Sequence, residues 1–344
     1  MQWAIYLPLV VPLCAAAGAR IIASRLPPQV ATWLLTLAAV ALAVLSTAVL
    51  ALLASSAFLR IPLVATLGDM SVQVIRHKDP ASLSAAVGGT LLLGLAVLAA
   101  ARAGWRRARA LVSAAQHARC LPGSSQVVVV PDGSADAYAV PGWPGRIVVT
   151  EGMLDALNPD ERRVLLAHER AHATSHHYLF TALTYLAAAA NPLLRPVAAA
   201  VTYTVERWAD ETAARDCGDR RLAARAIGKA ALASAERTAP AMARRRAMAM
   251  GIAGPFRARS ATRLRGLARF GPVNRLGHVL GVGGAGPVPR RVAALLAPPP
   301  RIRPLLVVAI ASVVLVSSVA ALDAARDLHA VVELAQTHVF NDPT

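Results

Sequence analysis

The stretch from Val164 to His177, VLLAHERAHATSHH, sets four histidines and one glutamate into a run that reads as helix. Within it, His168-Glu169-Arg170-Ala171-His172 has the form HExxH. Residues four apart share a helix face, so the imidazoles of His168 and His172 can reach one metal ion at about 2.0 to 2.1 Å. Glu169 points beside that face, where a carboxylate can take a proton from an attacking water. The pattern predicts a hydrolytic centre with Zn2+ as its ion, His168 and His172 as ligands and Glu169 as catalytic base.

Such a centre needs a third protein ligand and keeps the fourth position for water. The extended pattern HExxHxxGxxH would supply a third histidine, but Ser175 stands at its glycine and Tyr178 at its last histidine. His176 continues the stripe by a turn, yet in a straight helix it lies about 12 Å along the axis from His168, too far to share an ion. His177 is rotated off the ligand face, and both His176 and His177 are therefore candidates for supporting a ligand, for substrate contact or for a solvated position. The stretch TYTVERWADETAARD offers a better ligand in Glu206, with Asp210 one turn later. A His, His, Glu set stays open to water, and Asp210 can accept a hydrogen bond from a ligand imidazole and fix its tautomer. Glu211 and Asp216 are rivals by composition, although Glu211 faces away if Glu206 faces the metal.

These groups must be carried by defined elements. Asn158-Pro159-Asp160-Glu161 is a helix start, with Asn as cap, Pro at the first position and acids near the positive end of the dipole. QVVVVP (126–131) and RIVVT (146–150) have strand composition, and DGSADAYAVPGWPG between them carries turn punctuation. An edge strand near Tyr138 to Val140 would let an extended peptide add to the sheet, making Ala137, Tyr138, Ala139 and Val140 candidates for substrate binding. The apolar stretch 179–201 is interrupted by Pro192, Arg195 and Pro196. A single crossing there would put Glu206 some 30 Å from the histidines, so two helices folded back as a hairpin are expected, packed in the core or dipping into a membrane.

The rest of the chain is too apolar for an ordinary soluble protein: 56% of residues are hydrophobic and 16% charged. Long uncharged runs at 3–19 (kinked near Pro8 and Pro12), 30–59, 83–101 and 305–322 predict four transmembrane helices. The net charge of +17 is nearly all arginine. Arg20 and Arg25, then Arg102, Arg106, Arg107 and Arg109, then Arg290, Arg291, Arg301 and Arg303 flank the runs on alternate ends, which places these clusters in the cytoplasm. The expected organisation is three spans in 1–101, a cytoplasmic body in 102–304, a fourth span at 305–322 and a short external tail at 323–344. The Arg- and Ala-rich region 219–270, with breaks at Gly254-Pro255 and Gly271-Pro272, reads as a basic helical face beside anionic lipid, with no direct nucleic-acid contact expected. Cys14, Cys120 and Cys217 match no metal or disulfide framework. No span carries a buried charge of the kind an ion path needs, which argues against a transporter.

AYAVPGWPGRIVVTEGMLDALNPDERRVLLAHERAH followed by ERWAD resembles the membrane zinc metallopeptidases of the HtpX and Ste types. The order of three spans, protease body and one more span is similar to that of the BlaR/MecR-type signal-transducing peptidases. The resemblance implies a mainly α, multi-pass membrane protein with a cytoplasmic α+β zincin-like (gluzincin) body, His168, His172 and Glu206 as zinc ligands, Glu169 as base and Asp210 as their support. It implies a protein or peptide substrate, a lipid bilayer as partner and a bacterial inner-membrane location. Among the BlaR/MecR-type relatives the substrate is a cytoplasmic transcriptional repressor, and among HtpX-like enzymes it is damaged membrane protein. Two departures stand out. Only residues 323–344 follow the last run, so a penicillin-binding sensor is not expected, and Asp136-Ala137-Tyr138 stands where related peptidases often have Asn-Ala-Phe.

Overall fold

A computed structural model describes residues 6–61, 82–120, 125–140, 145–249 and 287–341. In chain order these form α1 (Leu7–Val10), α2 (Pro12–Arg25), α3 (Pro28–Leu59), α4 (Leu83–Cys120), β1 (Val127–Val130), β2 (Ala137–Val140) and β3 (Arg146–Thr150). Then follow α5 (Glu151–Ala156), α6 (Pro159–Thr174), α7 (His177–Ala190), a 3-10 turn (Pro192–Leu194), α8 (Arg195–Cys217), α9 (Arg220–Ala249), α10 (Pro287–Leu296) and α11 (Pro304–Asn341). The described residues are mostly helical, with one small sheet among them.

Among the described residues, four helical stretches are long and apolar enough to cross a membrane: Leu7–Arg25, Pro28–Leu59, Leu83–Gln116 and Pro304–Thr337. Large apolar side chains line their outer faces, with Leu91 70%, Leu98 67% and Leu305 82% exposed, as lipid-facing surfaces are. The first stretch is divided at Val11, with Pro12 as the first residue of the second helix. Three helices outrun their expected ends, the first continuing from 19 to Arg25 and so carrying Arg20 and Arg25. The third continues from 101 to Cys120 and carries Arg102, Arg106, Arg107 and Arg109 on the same rod, because alanine and arginine are strong helix formers and no proline intervenes. Arg107 lies over the Tyr185 ring at 4.8 Å, tying this rod to α7. The fourth continues through Asn341 for the same reason, so most of the region expected as a tail is helix. Residues 62–81, and both Gly-Pro breaks at 254–255 and 271–272, lie outside the described residues.

The sheet has the order β1-β3-β2, with β1 parallel and β2 antiparallel to β3. Its buried residues Ile147 and Val149 pack with Ala135, Met153 and Leu157. The expected strands at both ends are present, and the edge strand expected near Tyr138 is β2. Gly152, at the start of α5, lies so close to the 133–134 turn that a Cβ there would stand 2.3 Å from the Gly133 carbonyl oxygen.

The expected hairpin is formed by α7 and α8. Its tip reaches the middle of α3, where Asn191 Nδ2 donates to Ser46 Oγ at 3.0 Å. Thr32 Oγ1 donates to Thr204 Oγ1 at 2.8 Å, and Arg207 Nη1 donates to the Ala23 carbonyl at 2.7 Å. Val197, Val201, Val205 and Trp208 thereby join Leu35, Leu42 and Ile22 in one buried cluster. Further along the same helix, Ala213 and Ala214 belong to a second cluster with Val164, Ala167, Ala223, Ile227 and Leu295. Glu206 and Asp210 sit where α8 passes from the apolar helices into the body.

Candidate metal centre

The helix that carries the HExxH pattern is fixed at both ends. At its start, Asn158 Oδ1 accepts from the Glu161 N–H at 2.8 Å and Glu161 Oε2 accepts from the Asn158 N–H at 2.9 Å, a reciprocal cap. Lys229 Nζ donates to the same Glu161 oxygen at 2.8 Å and so ties α6 to α9. Val164, Ala167, His168 and Ala171 are buried on the inward face. At its end, His176 takes a left-handed conformation with φ 49°, unusual for a residue with a Cβ. This turn breaks the straight helix that the sequence suggests. Instead of lying off the ligand face, His177 starts a new helix and returns against His172.

His168 and His172 bring their Nε2 atoms to 3.1 Å of one another. Glu206 comes in from α8, with Oε2 3.8 Å from His168 Nε2 and Oε1 3.7 Å from His172 Nε2. A tetrahedral ion with ligands at about 2.0 to 2.1 Å holds its ligand atoms roughly 3.3 Å apart, so these three side chains fit one ion. Each ring turns its other nitrogen outward. His168 Nδ1 lies 3.0 Å from Asp210 Oδ1, bent away from ideal hydrogen-bond geometry, and His172 Nδ1 lies 3.0 Å from His177 Nδ1. With an Nδ1 proton on each ligand ring, two bare lone pairs face one point, an arrangement that a cation relieves.

The electrostatics of His172 and His177 agree with that assignment, while the acidic groups around His168 are those that a bound cation would offset. Burial pushes His172 well below its ordinary value, and the neighbouring His168 and Arg291 add to the effect, so it is neutral and able to coordinate. Burial, and the neighbouring His172, push His177 down to about 3, so it too is neutral. Burial alone would lower His168, but Asp210, Glu169 and Glu206 outweigh it and raise the value. Burial and the nearby Glu206 raise Glu169 to about 6, despite opposition from His168 and from an N–H bond donated by Ala139. A buried carboxylate with such a value is placed to exchange protons near neutrality.

Sequence reasoning missed Arg291 and left His177 among several open roles, of which the structure shows the supporting one. His177 packs its ring 4.7 Å from that of Trp208 and backs His172, which only the turn at His176 makes feasible. Arg291 comes from α10, where the sequence marked it only as a flanking charge. Its Nε and Nη2 grip Asp210 at 2.7 and 2.6 Å, and its Nη1 lies 2.9 Å from Glu206 Oε2. Burial raises the Asp210 carboxyl, but Arg291 and His168 prevail and hold it at about 2. No spacing rule links a residue at 291 to one at 210.

The remaining residues separate clearly. Glu211 pairs with Arg220, and Asp216 is exposed, so neither rival joins the ligand group. Ala137 to Val140 form β2, which packs on α6 and supplies the Ala139 amide to Glu169. His176 sits half-buried at the helix break, outside the group formed by His168, His172 and Glu206. A cavity of about 190 Å³ opens onto His168, Glu169 and Glu206.

The model of one protein family, described as Peptidase family M48, matches residues 100–338. No curated protein and no solved structure matches the chain. That match runs from the second half of α4 through most of α11 and includes every group of the centre just described, so this chain belongs to peptidase family M48 and is a metallopeptidase.

Proposed function

We propose that the protein is a membrane-embedded zinc metalloendopeptidase with His168, His172 and Glu206 as ligands. The observation that carries this reading is the convergence of those three side chains to 3.1–3.8 Å beside the buried carboxylate of Glu169. A bound zinc ion would supply Lewis acidity and a water nucleophile near neutral pH. Glu169 takes a proton from the attacking water and delivers it to the departing amine. Asp210 and His177 hold the ligand imidazoles in the tautomer that leaves Nε2 free, and Arg291 keeps Asp210 ionised and Glu206 oriented. A peptide laid along β2, which has no further strand on its outer side among the described residues, would extend the sheet and present a carbonyl to the centre. His176, at the helix break, is offered as a contact for that peptide. A structural zinc site in a non-catalytic scaffold has no use for a carboxylate such as Glu169 beside an open coordination position.

The arginine distribution supports a bacterial inner-membrane protein whose body, 102–304, faces the cytoplasm. Regulatory proteolysis of a cytoplasmic repressor-type protein, as in the BlaR/MecR-type relatives, is the first role. It is supported by Arg291: the helix that brings this residue to the centre leads within a few residues into the last apolar helix. A quality-control role of the HtpX kind is the second reading. It is favoured by the hairpin tip beside mid-α3, which sets the centre close to the bilayer and to membrane substrates.

Glu169→Gln tests the mechanism. Purified variant protein should bind stoichiometric zinc and fail to cleave; retained cleavage would remove Glu169 from the chemistry. Proteins that accumulate in cells carrying this variant would separate repressor from membrane-protein substrates.

A further inference from the structure

The cavity that opens onto the centre carries one charge that the mechanism does not use. At about 190 Å³ it exceeds the roughly 150 Å³ cavity that holds a benzene, so it accepts one long side chain. Met153, Val164, Leu165 and Ile227 give it aliphatic walls. Asp136 lines it as well. This residue is accessible to solvent, and desolvation by the surrounding protein, with Asp132 nearby, raises its carboxyl above its ordinary value.

Asp136 forms no ion pair among the described residues, and the neighbouring Ala137 N–H donates to its carboxylate. The other charges of the site cancel: a divalent ion and Arg291 offset Glu169, Glu206 and Asp210. Asp136 is left over. Its position is also built. The Asp136 N–H donates to Thr150 Oγ1 at 2.9 Å, the Thr150 N–H donates to the Asp136 carbonyl at 3.0 Å, and Ser234 Oγ donates to the Ala135 carbonyl at 2.9 Å.

We propose that this cavity is a specificity pocket for a basic side chain, lysine or arginine, on a substrate residue flanking the bond to be cut, with Asp136 as its counter-charge. Aliphatic walls suit the methylene stem of such a residue, and a carboxylate suits its head. The assignment rests on the endopeptidase reading. It adds a preference that a neutral amide at position 136 would not confer.

The test uses the full chain in detergent micelles, loaded with zinc and carrying Glu169→Gln so that peptides bind without being cut. Short fluorescent peptides contain a single arginine in an otherwise neutral sequence, or citrulline, its uncharged near-isostere, in its place. The arginine peptide should bind on the order of tenfold more tightly. Asp136→Asn should bring the ratio to about one, and Asp136→Glu should keep part of it. Equal binding of the two peptides, no binding of either, or a preference that survives Asp136→Asn overturns the pocket. Cleavage by the wild-type chain is scored separately. Asp136-dependent binding without any cleavage would sink the endopeptidase reading and leave the pocket standing, whereas cleavage indifferent to arginine would do the reverse.

Discussion

His172 Nδ1 and His177 Nδ1 stand 3.0 Å apart, so one ligand imidazole is backed by a second, neutral imidazole, while the other ligand, His168, is backed by the Asp210 carboxylate. A single proton between the two Nδ1 atoms, carried by His172, leaves its Nε2 free for the ion. His177→Phe keeps a ring against Trp208 and removes the acceptor. Zinc affinity, measured by competition with a chromogenic chelator, should fall about 10- to 100-fold with the fold retained. His177→Gln, with a side-chain oxygen to accept the proton, should recover part of the loss. Unchanged affinity in His177→Phe would show that the contact plays no part in holding the ligand.

Arg291 touches both Asp210 and Glu206. Arg291→Met leaves a buried carboxylate without its partner, a change that costs about 3 to 5 kcal/mol in comparable buried pairs. Thermal unfolding should therefore shift to markedly lower temperature. Lysine cannot reproduce the two-pronged contact, so Arg291→Lys should fall between the two. A melting curve for Arg291→Met that overlays the wild type would contradict the role given to this pair.

Metal removal should be reversible in its effect. Dialysis against a chelator is expected to abolish cleavage and zinc to restore it. Glu206→Gln should bind zinc far more weakly, because a neutral amide is a poor substitute for a carboxylate ligand. Equal zinc content in Glu206→Gln and wild type would move the third ligand elsewhere.

The cap of α6 predicts a pH effect. Bonding to Lys229 lowers the Glu161 carboxyl despite opposing desolvation, and the Asn158 N–H adds to the lowering. A carboxyl depressed in the folded state contributes stability that is fully present above its unfolded value, near 4.5, and is lost as pH falls through the folded value. Lys229→Met should reduce stability at neutral pH by less than about 1 kcal/mol, since the ammonium is half exposed, and the deficit should vanish in acid. Melting temperatures of both proteins across pH 3 to 7 would check this; a constant gap would count against it.

Gly152 allows α5 to start against the 133–134 turn. Gly152→Ala places a Cβ into the Gly133 backbone and should cost about 1 to 3 kcal/mol as the turn is pushed aside. Because that turn precedes Asp136, the arginine preference of the cavity should weaken as well, which the peptide-binding comparison would detect.

How much of this was legible beforehand follows from the range of the forces involved. The cap at Asn158, the four apolar runs and the HExxH pattern rest on neighbours within a few residues, and each has its counterpart in the structure. The hairpin at 179–201 was legible because proline and arginine interrupt an apolar run. Helix ends were not. Nothing local marks where an apolar rod leaves a membrane if alanine and arginine simply continue it, so the helices ending at Cys120 and Asn341 outran their expected limits.

The sequence by itself determined the chemistry on offer: two imidazoles and a carboxylate one turn apart on a capped helix, and an acidic pair on a second helix. Only the tertiary structure decided their partners. The reversed backbone at His176 brings His177 to His172, and packing of α10 against α8 delivers Arg291 to Asp210 and Glu206. The first depends on a left-handed residue that no composition rule marks, and the second joins residues 81 apart through how helices meet, set by side-chain packing and burial rather than by residue spacing.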